Sequence, residues 1–152
     1  MLKQHEILFQ PINIGPRTLK NRFYQVPHCT GMGYNLPQTH AAMRSVKAEG
    51  GWGAVCTEYC SISPDTDDAP YPFQTIWDDS DVKNLSMMVS GVHEYNSLAG
   101  IELLAGGSYV ANMNVRRPAL GAVSLQSASE PLQSRAMDKS DIVDLRRTHK
   151  LA

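Results

Sequence analysis

Three short apolar segments alternate with two helix-like segments along the first 104 residues, and this alternation limits the folds open to the chain. The helix-like segments repeat apolar residues every three or four positions, as amphipathic helices do. The predicted strands cover residues 21–26, 53–59 and 99–104, and the predicted helices cover residues 39–49 and 78–96. This order predicts an α/β fold with a parallel sheet and crossover helices packed on it.

Two α/β folds fit this order, a doubly wound sheet and a (β/α)8 barrel. A barrel takes about 250 residues, so these 152 residues supply only about three of its eight units. Residues 9–16 alternate apolar and polar and then break at Gly15-Pro16, which predicts a short β-hairpin arm before the first strand. Residues 108–135 predict a long loop, residues 140–145 the start of a helix, and residues 146–152 a basic tail.

The charge balance excludes some partners. Lys and Arg total 14 and Asp and Glu total 15, so the surface offers no basic patch for nucleic acid or anionic lipid. No apolar run approaches the roughly 18 residues of a membrane span, and the charged N-terminus is no secretory signal. Cys29, Cys56 and Cys60 are odd in number and lack zinc-site spacing, which favours a reduced, cytoplasmic compartment.

Polar residues stand at the ends of the predicted strands, where parallel α/β folds carry their active sites. At the end of the first strand, Cys29 follows His28. A thiolate is the reactive form of cysteine, and a nearby imidazolium lowers the pKa of a thiol, which makes Cys29 a candidate nucleophile. The alternative is a small buried thiol beside a surface histidine.

The second and third strands contribute Tyr59 and Glu102. Tyr59 offers an aromatic face to a ligand, or else packs in the core. Glu102 stands in an apolar run, so we expect it to be buried and to need a charged partner or a ligand. We interpret Cys56 and Cys60 as core thiols and the aspartates within residues 65–68 as solvated, and we predict no metal site.

Four segments resemble one known family: residues 8–15 (LFQPINIG), 20–23 (KNRF), 47–53 (KAEGGWG) and 57–59 (TEY). They look like the old yellow enzyme (NADH:flavin oxidoreductase) family of FMN-dependent barrels. Within that family, residues 23–29 (FYQVPHC) and 58–62 (EYCSI) are most similar to the trimethylamine dehydrogenase-like enzymes. The resemblance implies that residues 1–152 are the N-terminal part of an FMN-binding (β/α)8 TIM barrel that is incomplete, with residues 146–152 a divergent tail.

The resemblance also implies roles for individual residues. Cys29 matches a cysteine that is joined through sulfur to C6 of FMN, and Tyr59 matches a residue near the flavin that lines the substrate pocket. Glu102 aligns with a polar residue that hydrogen-bonds the pyrimidine edge. The residues expected to pack along the flavin ring are Gln25, Val26, Pro27 and His28. The family's catalytic residues belong to later segments, so we expect none here.

The activity that the resemblance implies is oxidative N-demethylation of trimethylamine or a similar small methylated amine. Electrons would pass to a [4Fe-4S] cluster and an electron-transferring flavoprotein; the cluster and ADP are expected only in a full-length homologue, which is often a homo-oligomer. Leu104-Ala105 departs from the bulkier aromatic pair expected after Glu-Leu, which leaves the substrate open. Two alternatives remain: an inactive truncated product, and part of an NAD(P)H-dependent flavin oxidoreductase or ene-reductase.

Overall fold

A three-stranded parallel sheet lies at the centre of the computed structural model, which describes residues 3–110, 115, 117–127 and 131–152. Its strands are β3 (Tyr24–Gln25), β4 (Ala54–Ser61) and β5 (Leu98–Leu104), in the order β3-β4-β5. Both pairings are parallel, and the β4–β5 register shifts between Cys56 and Tyr59. The predicted parallel α/β architecture is confirmed, with a first strand shorter than predicted.

Two helices cover one face of this sheet. They are α1 (Pro37–Glu49) and α2 (Asp79–His93), which pack against each other and against β4 and β5. α1 begins two residues before the predicted start because Pro37 fits the first helical turn, where no N–H is needed. The core between sheet and helices consists of Ala41, Ala48, Val55, Met88 and Val92, with Val89 and Ala99 packed against it.

The opposite face of the sheet is not covered by a helix in the part of the chain that the structure describes. Successive side chains of a strand point to opposite faces, so Cys56 lies on this open face while Val55 faces the helices. The Tyr24 hydroxyl is 2.8 Å from the Cys56 Sγ atom, and Tyr24 remains 49% exposed. An open inner face is the geometry predicted for an incomplete barrel.

The N-terminal arm is a β-hairpin, as predicted. β1 (Ile12–Ile14) pairs antiparallel with β2 (Arg17–Leu19), and Gly15 takes the positive φ of 54° that the turn requires. Lys3–Phe9 forms a 3-10 helix, which no pattern in the sequence predicts. Asn21 then fixes the entry to β3: its side chain donates to the Gly51 carbonyl at 2.7 Å and accepts from the Phe23 amide at 3.1 Å.

Two expectations for the C-terminal part are wrong. The region predicted as a loop contains β6 (Leu120–Gly121) and β7 (Arg135–Ala136), which pair in parallel; residues 111–114, 116 and 128–130 lie outside the described residues. α3 runs over Lys139–Leu151, so residues 146–151 are helical where a basic tail was expected. A reciprocal capping box between Asp138 and Asp141 starts this helix, and the cationic residues near its end suit the negative pole of the helix dipole.

Candidate functional site

The carboxyl ends of β3 and β4 bring Cys29 and Tyr59 together. Cys29 is exposed, and the Tyr59 backbone hydrogen-bonds to its thiol. Val26 is 58% exposed, Pro27 is half-buried and His28 is exposed. The strand end therefore presents a short apolar surface and a thiol at the edge of the open face.

A buried arginine on α1 holds this strand end from the helix side. Arg44 is 0% exposed. Its Nη2 donates to the His28 carbonyl at 2.7 Å, and its Nη1 donates to Gln25 Oε1 at 3.1 Å and lies 3.3 Å from His28 Nδ1. Its Nε donates to His40 Nε2 at 3.1 Å, one helical turn away. The Gln25 side chain thus faces the helices, and only the backbone of Gln25 can contribute to a site on the open face of the sheet.

A buried glutamate on β4 holds the loop that follows Cys29. Glu58 is also 0% exposed. One carboxylate oxygen accepts from the Thr30 amide at 2.5 Å, the Thr30 hydroxyl at 3.1 Å and the Gly31 amide at 2.9 Å. The other accepts from the Gly33 amide at 2.6 Å. A Cβ atom at Gly33 would lie 2.6 Å from Glu58 Oε1, so the loop approaches this carboxylate as closely as glycine allows.

The electrostatics contradict activation of Cys29 by a charged His28. Partial burial and the Arg44 charge lower the pKa of His28, and its Nδ1 lies 3.3 Å from Arg44 Nη1. A lowered pKa disfavours the imidazolium that would activate the thiol. Cys29 is exposed overall, but partial burial of its sulfur raises the pKa of the thiol, and Glu58 adds to that rise. The same two causes, burial and then Arg44, lower the pKa of His40 to about 4.

Tyr59 belongs to an aromatic and acidic group rather than to the apolar core. Its ring stacks on Phe73 with centroids 5.8 Å apart and an interplanar angle of 21°. Burial raises the pKa of Tyr59, and a hydrogen bond to the Asp68 side chain raises it further. Asp67 is 0% exposed and accepts from the Ala69 amide at 3.2 Å, so the expectation of solvated aspartates here is wrong for Asp67.

Glu102 is exposed, so the expectation that it would be buried is wrong. It lies on β5, an edge strand of the sheet, and its amide donates to Thr57 Oγ1 at 3.4 Å. Neither of the ion pairs found among the described residues involves Glu102. Cys56 and Cys60 are buried, as predicted.

Two buried side chains organise this site, Arg44 and Glu58, and neither is predicted from the sequence as a site residue. His40 and Arg44 are four residues apart on the face of α1 that packs on the sheet, and a polar pair on such a face was the available signal for Arg44. Glu58 lies inside an apolar strand, the same signal that singled out Glu102. The partners of Tyr59, Phe73 and Asp68, come from a loop that carries no periodic pattern.

The described residues contain no helix long and apolar enough to cross a membrane. They also hold no group of three or more His, Cys, Asp or Glu side chains arranged to bind a metal ion.

The parallel sheet with its two helices has the architecture of part of a (β/α)8 barrel, and the described residues do not close one. The structural neighbours are (β/α)8-barrel flavoenzymes, and the chain covers only 22–44% of their length. The sequence profile of the NADH:flavin oxidoreductase / NADH oxidase family matches residues 7–152. The chain belongs to this family.

Three relatives carry the comparison further. Dimethylamine dehydrogenase from Hyphomicrobium sp. (strain x) is 51% identical over 111 residues, which are 73% of this chain and 15% of the relative. Histamine dehydrogenase from Rhizobium sp. 4-9 matches at a TM-score of 0.89 and 40% identity, over 96% of this chain and 22% of that chain. The 6-hydroxypseudooxynicotine amine oxidase from Pseudomonas geniculata N1 matches at 0.86 and 37%, over 97% and 22%. The chain thus spans less than a quarter of each.

The family implies a flavin, and the residues present fit one. The exposed side chain of Val26 and the half-buried Pro27 offer apolar surface to a flat ring. The His28 side chain is exposed, and Glu102 offers an exposed carboxylate on β5, the edge strand on the other side of β4. Cys29 is an exposed thiol in the segment that follows β3.

Proposed function

We propose that this chain is the N-terminal part of an FMN-dependent amine dehydrogenase that carries its flavin on Cys29. The observation that carries the proposal is an exposed thiol held at the same strand edge as the stacked Tyr59–Phe73 pair. This arrangement suits a covalent flavin with an amine site beside it. The amine-oxidising relatives at 37–51% identity support the same class.

FMN, when bound, supplies a two-electron acceptor, and the chain's own residues bind and orient it. Attachment would join the Cys29 sulfur to ring carbon C6 in place of a hydrogen. The hydrogens of the thiol and of that carbon would leave as two protons, and an acceptor such as dioxygen would take the electron pair. Val26 and Pro27 would pack against the ring, and Glu102 would accept a hydrogen bond from its pyrimidine edge.

Tyr59 and Asp68 define the substrate class that we propose, a small methylated amine. A ring face attracts a cation, and methyl groups on the nitrogen need no hydrogen-bond partner there. Asp68 accepts from the Tyr59 hydroxyl and places a carboxylate at the hydroxyl end of the ring. The chain's contribution is to bind and orient the amine while its C–H bond is oxidised; hydrolysis of the iminium then releases formaldehyde and the smaller amine.

The remaining parts of the proposal concern the whole protein. We propose a [4Fe-4S] cluster, bound ADP, an electron-transferring flavoprotein as electron acceptor and a homo-oligomeric, cytoplasmic enzyme. No residue of this segment is assigned to the cluster or to ADP.

Anaerobic titration of the native protein tests the activity. We expect trimethylamine or dimethylamine to bleach the flavin absorbance within the mixing time, with formaldehyde released in proportion. NADH and NADPH serve as controls and should leave the absorbance unchanged. Bleaching by a nicotinamide nucleotide and not by amines would instead favour an ene-reductase, and a native protein without flavin would favour an inactive product.

The role of Tyr59 is tested by substitution with alanine. We expect Tyr59→Ala to weaken binding of a methylated ammonium by about 0.5–2 kcal/mol, the value of a cation–π contact. The measurement is the dissociation constant of tetramethylammonium, a non-reactive cation. Neopentane-like uncharged isosteres of the same shape are the control, and an equal loss of their affinity would assign Tyr59 to general packing.

A further inference from the structure

Two buried side chains of opposite charge, Arg44 and Glu58, hydrogen-bond to the backbone on either side of Cys29. Arg44 binds the carbonyl of the residue before it, at 2.7 Å. Glu58 binds the amide and hydroxyl of Thr30, the residue after it, and then the amides of Gly31 and Gly33. Cys29 thus lies exposed between two anchored neighbours, and its own side chain takes no part in either anchor.

The two charges are not an ordinary ion pair. Neither of the ion pairs among the described residues includes Arg44 or Glu58. Each charge is satisfied by neutral groups of the strand end and its loop instead. A buried charge is costly, and an apolar pair of similar volume often gives a more stable fold. The arrangement is therefore better explained by the geometry it imposes than by stability.

We infer that Arg44 and Glu58 are positioning residues for Cys29, and that together they fix the place from which its sulfur reaches the flavin. The inference rests on the proposed attachment of FMN to Cys29. Hydrogen bonds to ionised groups are short and directional, so both neighbours of Cys29 have defined positions. Bond formation requires the reacting atoms to be held within about 3–3.5 Å. Loss of the hydrogen bonds of Arg44 or Glu58 should therefore slow attachment of FMN more than it weakens flavin binding.

The test compares Arg44→Lys and Glu58→Gln with the native protein. Arg44→Lys keeps the positive charge but loses the planar guanidinium with its several N–H donors. Glu58→Gln keeps the shape of the side chain but loses the negative charge. Asp81→Asn is the matched control, because Asp81 is another buried carboxylate that accepts from the Thr75 hydroxyl at 2.6 Å and the Trp77 amide at 2.7 Å. Two quantities are measured: the fraction of bound FMN that is covalent, and hydrogen exchange at the amides of residues 30–33.

We expect both variants to keep most of their FMN while the covalent fraction falls by more than half. In Glu58→Gln, amide exchange over residues 30–33 should accelerate severalfold, and Asp81→Asn should change neither quantity. A merely structural role would lower total FMN and leave the covalent fraction of what remains unchanged, and that result would overturn the inference.

The two proposals fail in different ways. If the native protein holds FMN without a covalent bond, the proposed attachment to Cys29 is wrong. The role of Arg44 and Glu58 in that attachment is then wrong as well. If the native flavin is covalent but both variants attach it fully, the attachment stands and the positioning role is wrong. An unchanged rate of amide hydrogen exchange over residues 30–33 in Glu58→Gln would also contradict the positioning role of Glu58.

Discussion

Cys29→Ala should convert all covalently bound flavin into dissociable flavin. Cys29 is exposed, and a hydrogen bond to the Tyr59 backbone is the contact that its thiol makes, so we expect its removal to leave the fold intact. When the variant is precipitated with acid, the yellow colour should appear in the supernatant, whereas the native protein should keep it in the pellet. Because partial burial of the sulfur raises the pKa of the Cys29 thiol, attachment of FMN to flavin-free protein should also accelerate as the pH rises and the thiolate forms.

The other two cysteines are the controls for this experiment. Cys56 and Cys60 are buried, and burial raises the pKa of both thiols, that of Cys60 to about 12. Cys56→Ala and Cys60→Ala should therefore retain covalent flavin in every molecule that folds. Flavin that stays in the pellet of Cys29→Ala would place the linkage on another residue.

Arg44→Met should cause a large loss of stability. Methionine fills much of the same space but leaves two buried acceptors, Gln25 Oε1 and His40 Nε2, without a donor. Each unsatisfied buried group costs about 1–3 kcal/mol, so we expect the free energy of unfolding to fall by about 2–6 kcal/mol. That is a large share of the about 5–15 kcal/mol that holds a typical domain folded. Urea unfolding of the native protein and the variant measures it.

Lys83→Met is the matched control for that variant. Lys83 is an exposed cation on α2, the helix that packs against α1. The same chemical change there should alter the free energy of unfolding by no more than about 0.5 kcal/mol, as surface substitutions usually do. Equal effects of the two substitutions would show that the Arg44 hydrogen bonds contribute little.

The regular elements of this chain could be predicted because local signals agree with the fold. The apolar period of α2 and its N-cap, Asp78, which accepts from the amides of Ser80 and Asp81, give the same start for the helix. The Gly15-Pro16 break marks the hairpin turn. α3 was predicted too short because its last turns carry few apolar residues, and a capping box with a polar helix face was enough to form it.

The site could be predicted only in part. Cys29 and Tyr59 follow from their place at strand ends, since parallel strands bring those ends to one edge. Glu102 and Glu58 occupy similar apolar runs, yet only Glu58 is buried, because β4 is the central strand and β5 lies at the edge. Sequence alone does not say which strand is central. Two partners of Arg44, His28 and Gln25, lie 16 and 19 residues away along the chain, and such contacts have no local signature.

The most direct test of the proposed cofactor linkage is the mass of the tryptic peptide that spans residues 23–44. This peptide contains Cys29 and neither of the other cysteines. We expect the peptide from the native protein to be heavier by FMN less two hydrogens, to absorb visible light, and to carry the added mass on Cys29 when fragmented. An unmodified peptide with a free thiol, from protein that still contains its flavin, would contradict the account.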